Sequence, residues 1–179
     1  MLSWILQPAV IVRCNFNFEL LSYHLIHIHH SINLVSDIWK KCDRDWEGYG
    51  IENNVITIEN FKKFKQNPLL LTHPDEIIKF FKKCDKDVGL LLDVGHLKVS
   101  AKTLGFDLLK AHEMLKPYIK GYHLSDNNGL RDSNKKFTKK SWFYDKLKKN
   151  VKYISIEVYT KNIKKLKSLQ NLIRKKYDV

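Results

Sequence analysis

The stretch Val88-Gly89-Leu90-Leu91-Leu92-Asp93-Val94-Gly95-His96 decides how the chain is read. An apolar run of strand length stops abruptly at a carboxylate, and a glycine and a histidine follow within three residues. A run with no polar alternation marks a strand buried on both faces, as in a parallel sheet covered by helices. In such folds ligands bind at the carboxyl ends of the strands. Asp93 and His96 are therefore candidate site residues. The plainer reading makes Asp93 a cap for the next helix and His96 a solvated loop residue.

Working outward, three further segments read as strands that end in polar side chains. Val55-Ile56-Thr57-Ile58-Glu59-Asn60 is β-branched and ends in a carboxylate. Tyr118 to Leu124 runs into the cluster His123-Leu124-Ser125-Asp126-Asn127. Val151 to Val158 places Ser155 and Glu157 on the face opposite Ile154, Ile156 and Val158. Helical patterns fall between these strands. Thr72-His73-Pro74-Asp75-Glu76 is a helix start, with a capping residue, an early proline and acids near the positive end of the dipole. Asp107 opens a second helix, which Pro117 ends. Trp142, Phe143 and Leu147 begin a short third one. Ile163, Leu166, Leu169, Leu172 and Ile173 mark the terminal helix, at spacings of three and four.

The N-terminal part reads less clearly. Residues 1–22 form an irregular segment, and the domain proper is expected over 23–179. Tyr23-His24-Leu25-Ile26-His27-Ile28-His29-His30 is a candidate strand whose histidines are either metal ligands or a half-exposed strand end. Leu34, Val35, Ile38, Trp39 and Cys42 have helical spacing, and Gly48-Tyr49-Gly50 stops that helix.

Glu59, Asp93, His123 and Glu157 each close a predicted strand, at separations of 34, 30 and 34 residues. A βα unit takes about 30 residues, and a (β/α)8 barrel averages about 31 per unit. This recurrence predicts an α/β fold, a partial TIM-type barrel of about five parallel strands alternating with helices. It also aims one oxygen or nitrogen donor from each successive strand at a common axis. Three carboxylates and one imidazole make a hard, anionic donor set. They suit Mn, Mg or Co, with positions open for water or substrate, better than Zn, which usually takes more His or Cys. Glu59 and Glu157 would face each other across the metal as a proton-transfer pair working through an enediolate.

Bulk properties narrow the classes. The chain has 179 residues and a net charge of +13, carried by 28 Lys and only 4 Arg. Arginine supplies most bidentate phosphate and base contacts, so nucleic acid is not the favoured partner. The three cysteines lie far apart with no CxxC, which excludes a zinc knuckle or disulfide framework and fits a reducing cytoplasm. The apolar opening, Met1 to Val12, is too short to span a bilayer.

The segments Ile56-Thr57-Ile58-Glu59-Asn60, Leu91-Leu92-Asp93-Val94-Gly95-His96, Tyr122-His123-Leu124-Ser125-Asp126-Asn127 and Ile154-Ser155-Ile156-Glu157-Val158 together resemble the xylose-isomerase-like TIM-barrel superfamily. That group holds sugar and sugar-phosphate isomerases and epimerases as well as endonuclease IV enzymes. The resemblance implies metal ligation by Glu59, Asp93, His123 and Glu157, with Glu59 and Glu157 as the acid/base pair. It implies substrate contacts from His96, Asn60, Asp126, Arg131 and His29. Arg131 reads equally as a surface-loop residue, and His96 would bind metal in the endonucleases.

Two departures bear on function. The endonuclease-type site needs Asp-x-His after the His123 strand, where this chain has Asp132-Ser133-Asn134. The family has eight strands where five are found here, so the chain reads as N-terminally truncated, its barrel completed by self-association or by another chain. The expected function is a metal-dependent isomerase or epimerase acting on a sugar or sugar phosphate. An endonuclease IV-like hydrolase acting at abasic sites and an inactive barrel fragment are the alternatives.

Overall fold

Leu90, Leu91 and Leu92 are all buried, as a strand covered on both faces requires. In the computed structural model, which describes residues 51–64, 69–84 and 88–177, this strand is β2 (Leu90–Asp93). It lies between β1 (Ile51–Glu52) and β3 (Ile119–Leu124), and β4 (Tyr153–Ile156) follows β3. The strand order is sequential and every pairing is parallel. Parallel neighbours need a crossover of a dozen or more residues, usually helical. Here the crossovers are α1 (Ile58–Phe64) and α2 (Pro74–Phe81) after β1, and α3 (Val94–Leu104) and α4 (Leu108–Leu115) after β2. The helix α5 (Ile163–Tyr177) follows β4. The architecture is an arc of a TIM-type barrel.

The register sorts side chains between the two faces of the sheet. Leu92, Tyr122 and Ile154 are paired neighbours and share one face. That face packs into a core with Ile77, Phe80, Leu97, Leu115, Phe143 and Ile173 from the covering elements. Asp93, His123 and Ser155 are paired neighbours on the other face. Glu52 pairs with Leu91, two residues before Asp93, and Glu157 lies two residues after Ser155. The period of two therefore delivers Glu52, Asp93, His123 and Glu157 to the same concave side.

Several expectations need correction. The strand expected over 55–60 is not formed. Its β-branched residues lie in the connection after β1, and Ile58, Glu59 and Asn60 begin α1. Thr57 explains the switch. Its hydroxyl accepts from the Asn60 N–H at 3.2 Å and its carbonyl from the Phe61 N–H at 2.9 Å, a helix start that outcompetes strand propensity. The short helix expected near Trp142 is a set of single turns, closed by Tyr144 on Ser141 and by Lys146 and Leu147 on Phe143. The helix α3 is the one that the capping reading of Asp93 implies. The His24–His30 strand, the helix over 34–47 and the 1–22 segment lie outside the described residues. Among the described residues no helix is long and apolar enough to cross a membrane.

Candidate metal centre

Glu52, Asp93, His123 and Glu157 each offer a donor atom, and these four atoms lie within 4.8 Å of one another. Glu52 Oε1 is 2.7 Å from His123 Nδ1, and Glu157 Oε2 is 3.5 Å from the same nitrogen. β1 and β3 are not neighbours. Their backbones are separated by two strand spacings, roughly 9–10 Å. That Glu52 and His123 nevertheless meet over β2 requires both long side chains to lean inward on the concave face.

Three of these four residues are the expected ones. The fourth is Glu52, not Glu59. Glu59 lies in the first turn of α1 and is exposed, away from the cluster. Glu52 is missed because its strand has only two residues, set between Gly48-Tyr49-Gly50 and Asn53-Asn54. The crossover from β1 to β2 is also long, 37 residues against 25 between β2 and β3, so Glu52 stands 41 residues before Asp93, outside the interval of about 30 to 34 that selected Glu59. A carboxylate flanked by turn-forming glycines and asparagines was the available signal.

Asp93 is fully buried. Its Oδ1 caps α3 by accepting from the His96 N–H at 2.9 Å. Its Oδ2 is buried without a hydrogen-bond partner and lies 3.9 Å from His96 Nε2. The cap reading and the site reading are thus both physically satisfied, one by each oxygen. Burial pushes the Asp93 carboxyl up, to about 7, against the smaller opposing pull of His96. Burial acts to lower the pKa of His123, but the Glu52 carboxylate, with Asp93 and Glu157 behind it, outweighs that effect and raises it. A buried carboxylate oxygen with no partner, beside two more carboxylates and an imidazole, is a donor set short of a cation. The residues fit a divalent metal.

Around this cluster lies a ring of fixing contacts. Asn53 is buried, and its side chain both accepts from the Asp93 N–H at 2.8 Å and donates to the Asp93 carbonyl at 3.2 Å. His96 donates from Nδ1 to the Asn53 carbonyl at 2.8 Å and from Nε2 to Asp132 Oδ2 at 3.2 Å. Burial opposes its charge, but Asp132, then Asp93 and Glu52, raise its pKa to about 10. With both nitrogens donating, His96 has no lone pair to offer a metal. Neither Asn53 nor Asp132 was singled out as a site residue from the sequence, because their roles depend on neighbours 40 and 36 residues away.

The remaining candidates fall elsewhere. Asp126 is held by structural bonds, with Lys98 Nζ at 2.6 Å and the Ser141 hydroxyl at 2.6 Å, and its backbone bridges to Lys135. Arg131 is exposed on the following loop, and Asn60 is exposed on α1. His29 lies outside the described residues. Asn134, where the endonuclease pattern needs a histidine, is buried against the Ser125 hydroxyl at 3.4 Å.

No protein family and no curated protein matches this sequence. A solved structure described as a D-tagatose 3-epimerase-like protein does match in three dimensions, with a TM-score of 0.56 and 22% sequence identity. The match covers 93% of this chain, which spans 60% of that structure's length. At this identity the likeness speaks to the fold alone, and it agrees with the partial TIM-type barrel described above.

Proposed function

We propose that this chain is a divalent-metal-dependent isomerase or epimerase of a sugar or sugar phosphate, with Glu52 and Glu157 as its proton-transfer pair. The observation that carries this reading is the convergence of Glu52, Asp93, His123 and Glu157 to within 4.8 Å at the ends of successive parallel strands. Three carboxylates and one imidazole favour Mn, Mg or Co. When bound, such an ion supplies Lewis-acid polarisation of the substrate oxygens. The likeness in fold to an epimerase-like protein supports the assignment.

The burial of the four residues divides their roles. Asp93 has no surface left for substrate and serves as a ligand alone. Glu52 and Glu157 retain 37% and 38% of their side-chain exposure. They stand on the outer strands of the four, on either side of Asp93 and His123. One takes a proton from the carbon beside the substrate carbonyl, and the other returns a proton from the opposite side. His123 would be the imidazole ligand, and its Nδ1 is the atom that both carboxylates approach, at 2.7 and 3.5 Å. His96, held as a cation by Asp132, adds a fixed positive charge at the rim.

The test combines metal binding with turnover. Purified protein should bind about one Mn, Mg or Co per chain and catalyse deuterium incorporation from D2O at the carbon beside a ketose carbonyl. His123→Ala should lose metal, and Glu157→Gln should lose exchange. Cleavage of abasic DNA without ketose exchange would transfer the assignment to a hydrolase. A chain that binds no metal and melts identically in EDTA would defeat both.

A further inference from the structure

The ladder between β1 and β2 stops early. It pairs Ile51 with Leu90 and Glu52 with Leu91, two residues short of Asp93. Beyond Glu52 the chain leaves the sheet. The Asn54 N–H goes to the Leu71 carbonyl at 3.0 Å, and the Asn54 side chain goes to the Leu70 carbonyl at 2.8 Å. The buried backbone of Asp93 would then lack partners on this side, which is costly. Asn53 supplies them. Its Oδ1 takes the Asp93 N–H and its Nδ2 gives to the Asp93 carbonyl, standing in for the two peptide groups that would flank a paired residue on a neighbouring parallel strand. Its own carbonyl takes the His96 Nδ1–H.

We propose that Asn53 is a positioning residue, whose side-chain amide replaces the missing strand backbone and thereby sets Glu52 against Asp93 and His123. This rests on the reading of the four-residue cluster as a metal site. The chemistry is specific to asparagine. Aspartate cannot donate to the Asp93 carbonyl, serine offers one group where two are needed, and glutamine adds a methylene at a residue that is 1% exposed. Glu52 is bonded covalently to Asn53, so the amide clamp fixes the carboxylate's root on the ladder. Groups that orient metal ligands in this way typically change metal affinity by about 10–100-fold.

The experiment measures Mn2+ affinity by calorimetry for the wild-type chain, Asn53→Ala, Glu52→Gln, the double variant, and Leu169→Ala as a core-destabilised control on α5. Asn53→Ala should weaken binding about tenfold or more, whereas Leu169→Ala should bind as wild type. The double variant should bind no more weakly than Glu52→Gln alone, because Asn53 acts through Glu52. Wild-type affinity in Asn53→Ala, or fully additive losses, would overturn the proposal. If the wild type binds no divalent cation, the metal reading fails separately. Nuclear Overhauser contacts between the Glu52 side chain and the His123 ring then decide the matter in metal-free protein. They should be present in wild type and Leu169→Ala and lost in Asn53→Ala. Their persistence in Asn53→Ala would refute the positioning role.

Discussion

The Oδ1 atom of Asp93 closes a helix while Oδ2 has no partner in the buried interior. The isosteric change Asp93→Asn separates these functions. Asparagine caps helices as well as aspartate does, so α3 should form normally. It removes the charge that burial disfavours, so the metal-free variant should be at least as stable as wild type. It also removes the anionic oxygen, so Mn2+ affinity should fall by at least about tenfold. Glu59→Gln is the companion measurement, because Glu59 is exposed on α1 and its loss should leave affinity unchanged. Thermal unfolding with and without Mn2+ reads both quantities. A wild-type metal response in Asp93→Asn would remove Asp93 from the ligand set. The same pair shows what a sequence can convey at this scale. Asp93 was legible because a fully apolar run ends on it and the polar strand ends at His123 and Glu157 follow at separations of 30 and 34 residues. Glu52 was not, because a two-residue strand has no hydrophobic run to end.

Among the elements, those with one buried face and a local cap were the readable ones. The helix α4 begins at Asp107, which accepts from the Lys110 N–H at 2.9 Å, and α2 begins with Pro74 and buries Ile77, Phe80 and Phe81. The helix α3 was signalled by its cap Asp93 alone because it has no simple stripe. Val94, Gly95, Leu97, Val99, Ser100 and Ala101 are all buried, so residues of mixed polarity face inward around much of its circumference. Gly95 also reads as a turn. Its actual role is close approach. A Cβ there would meet Ser125 Oγ at 2.7 Å and Asn127 Nδ2 at 3.1 Å, the latter being the group that donates to the Gly95 carbonyl. Gly95→Ala should therefore destabilise by about 1–3 kcal/mol through overpacking. Gly105 at the end of the same helix has open space but φ of 77°, so Gly105→Ala should cost about 1 kcal/mol from backbone strain alone. Urea midpoints rank the two. Because Gly95 sits beside Asp93 Oδ1, only its substitution should also lower Mn2+ affinity.

At the scale of the whole molecule, parallel pairing and the alternation of strand and helix followed from the recurrence of polar strand ends. The interval from β1 to β2 broke that recurrence because its crossover runs to 37 residues, against 25 for the equally two-helix crossover from β2 to β3. The stability of this assembly should depend on a histidine on the side of the sheet away from Glu52, Asp93, His123 and Glu157. His112 is fully buried on α4, with Nε2 3.2 Å from the Tyr122 hydroxyl. That hydroxyl accepts from the Lys148 N–H at 2.9 Å, which leaves its proton for His112 Nε2. The Tyr122 ring stacks on His112 at 6.1 Å between centroids, and the Trp142 ring meets it edge-on at 5.6 Å. Burial, assisted by Lys116 and Lys146 against the opposing Glu113, lowers its pKa from 6.5 to about 4. Between those values the unfolded chain takes up a proton that the folded chain refuses, so stability must fall as pH falls through this window. The full contribution is present above pH 6.5 and amounts to about 3 kcal/mol at most. Asp93 acts in the opposite sense throughout that range, because its raised pKa makes the folded state the better proton acceptor. Wild type must therefore be compared with His112→Leu, by urea unfolding from pH 7 to pH 4. The wild type should lose about 3 kcal/mol more than the variant over that range, and equal pH slopes would show that His112 carries its proton in the folded core.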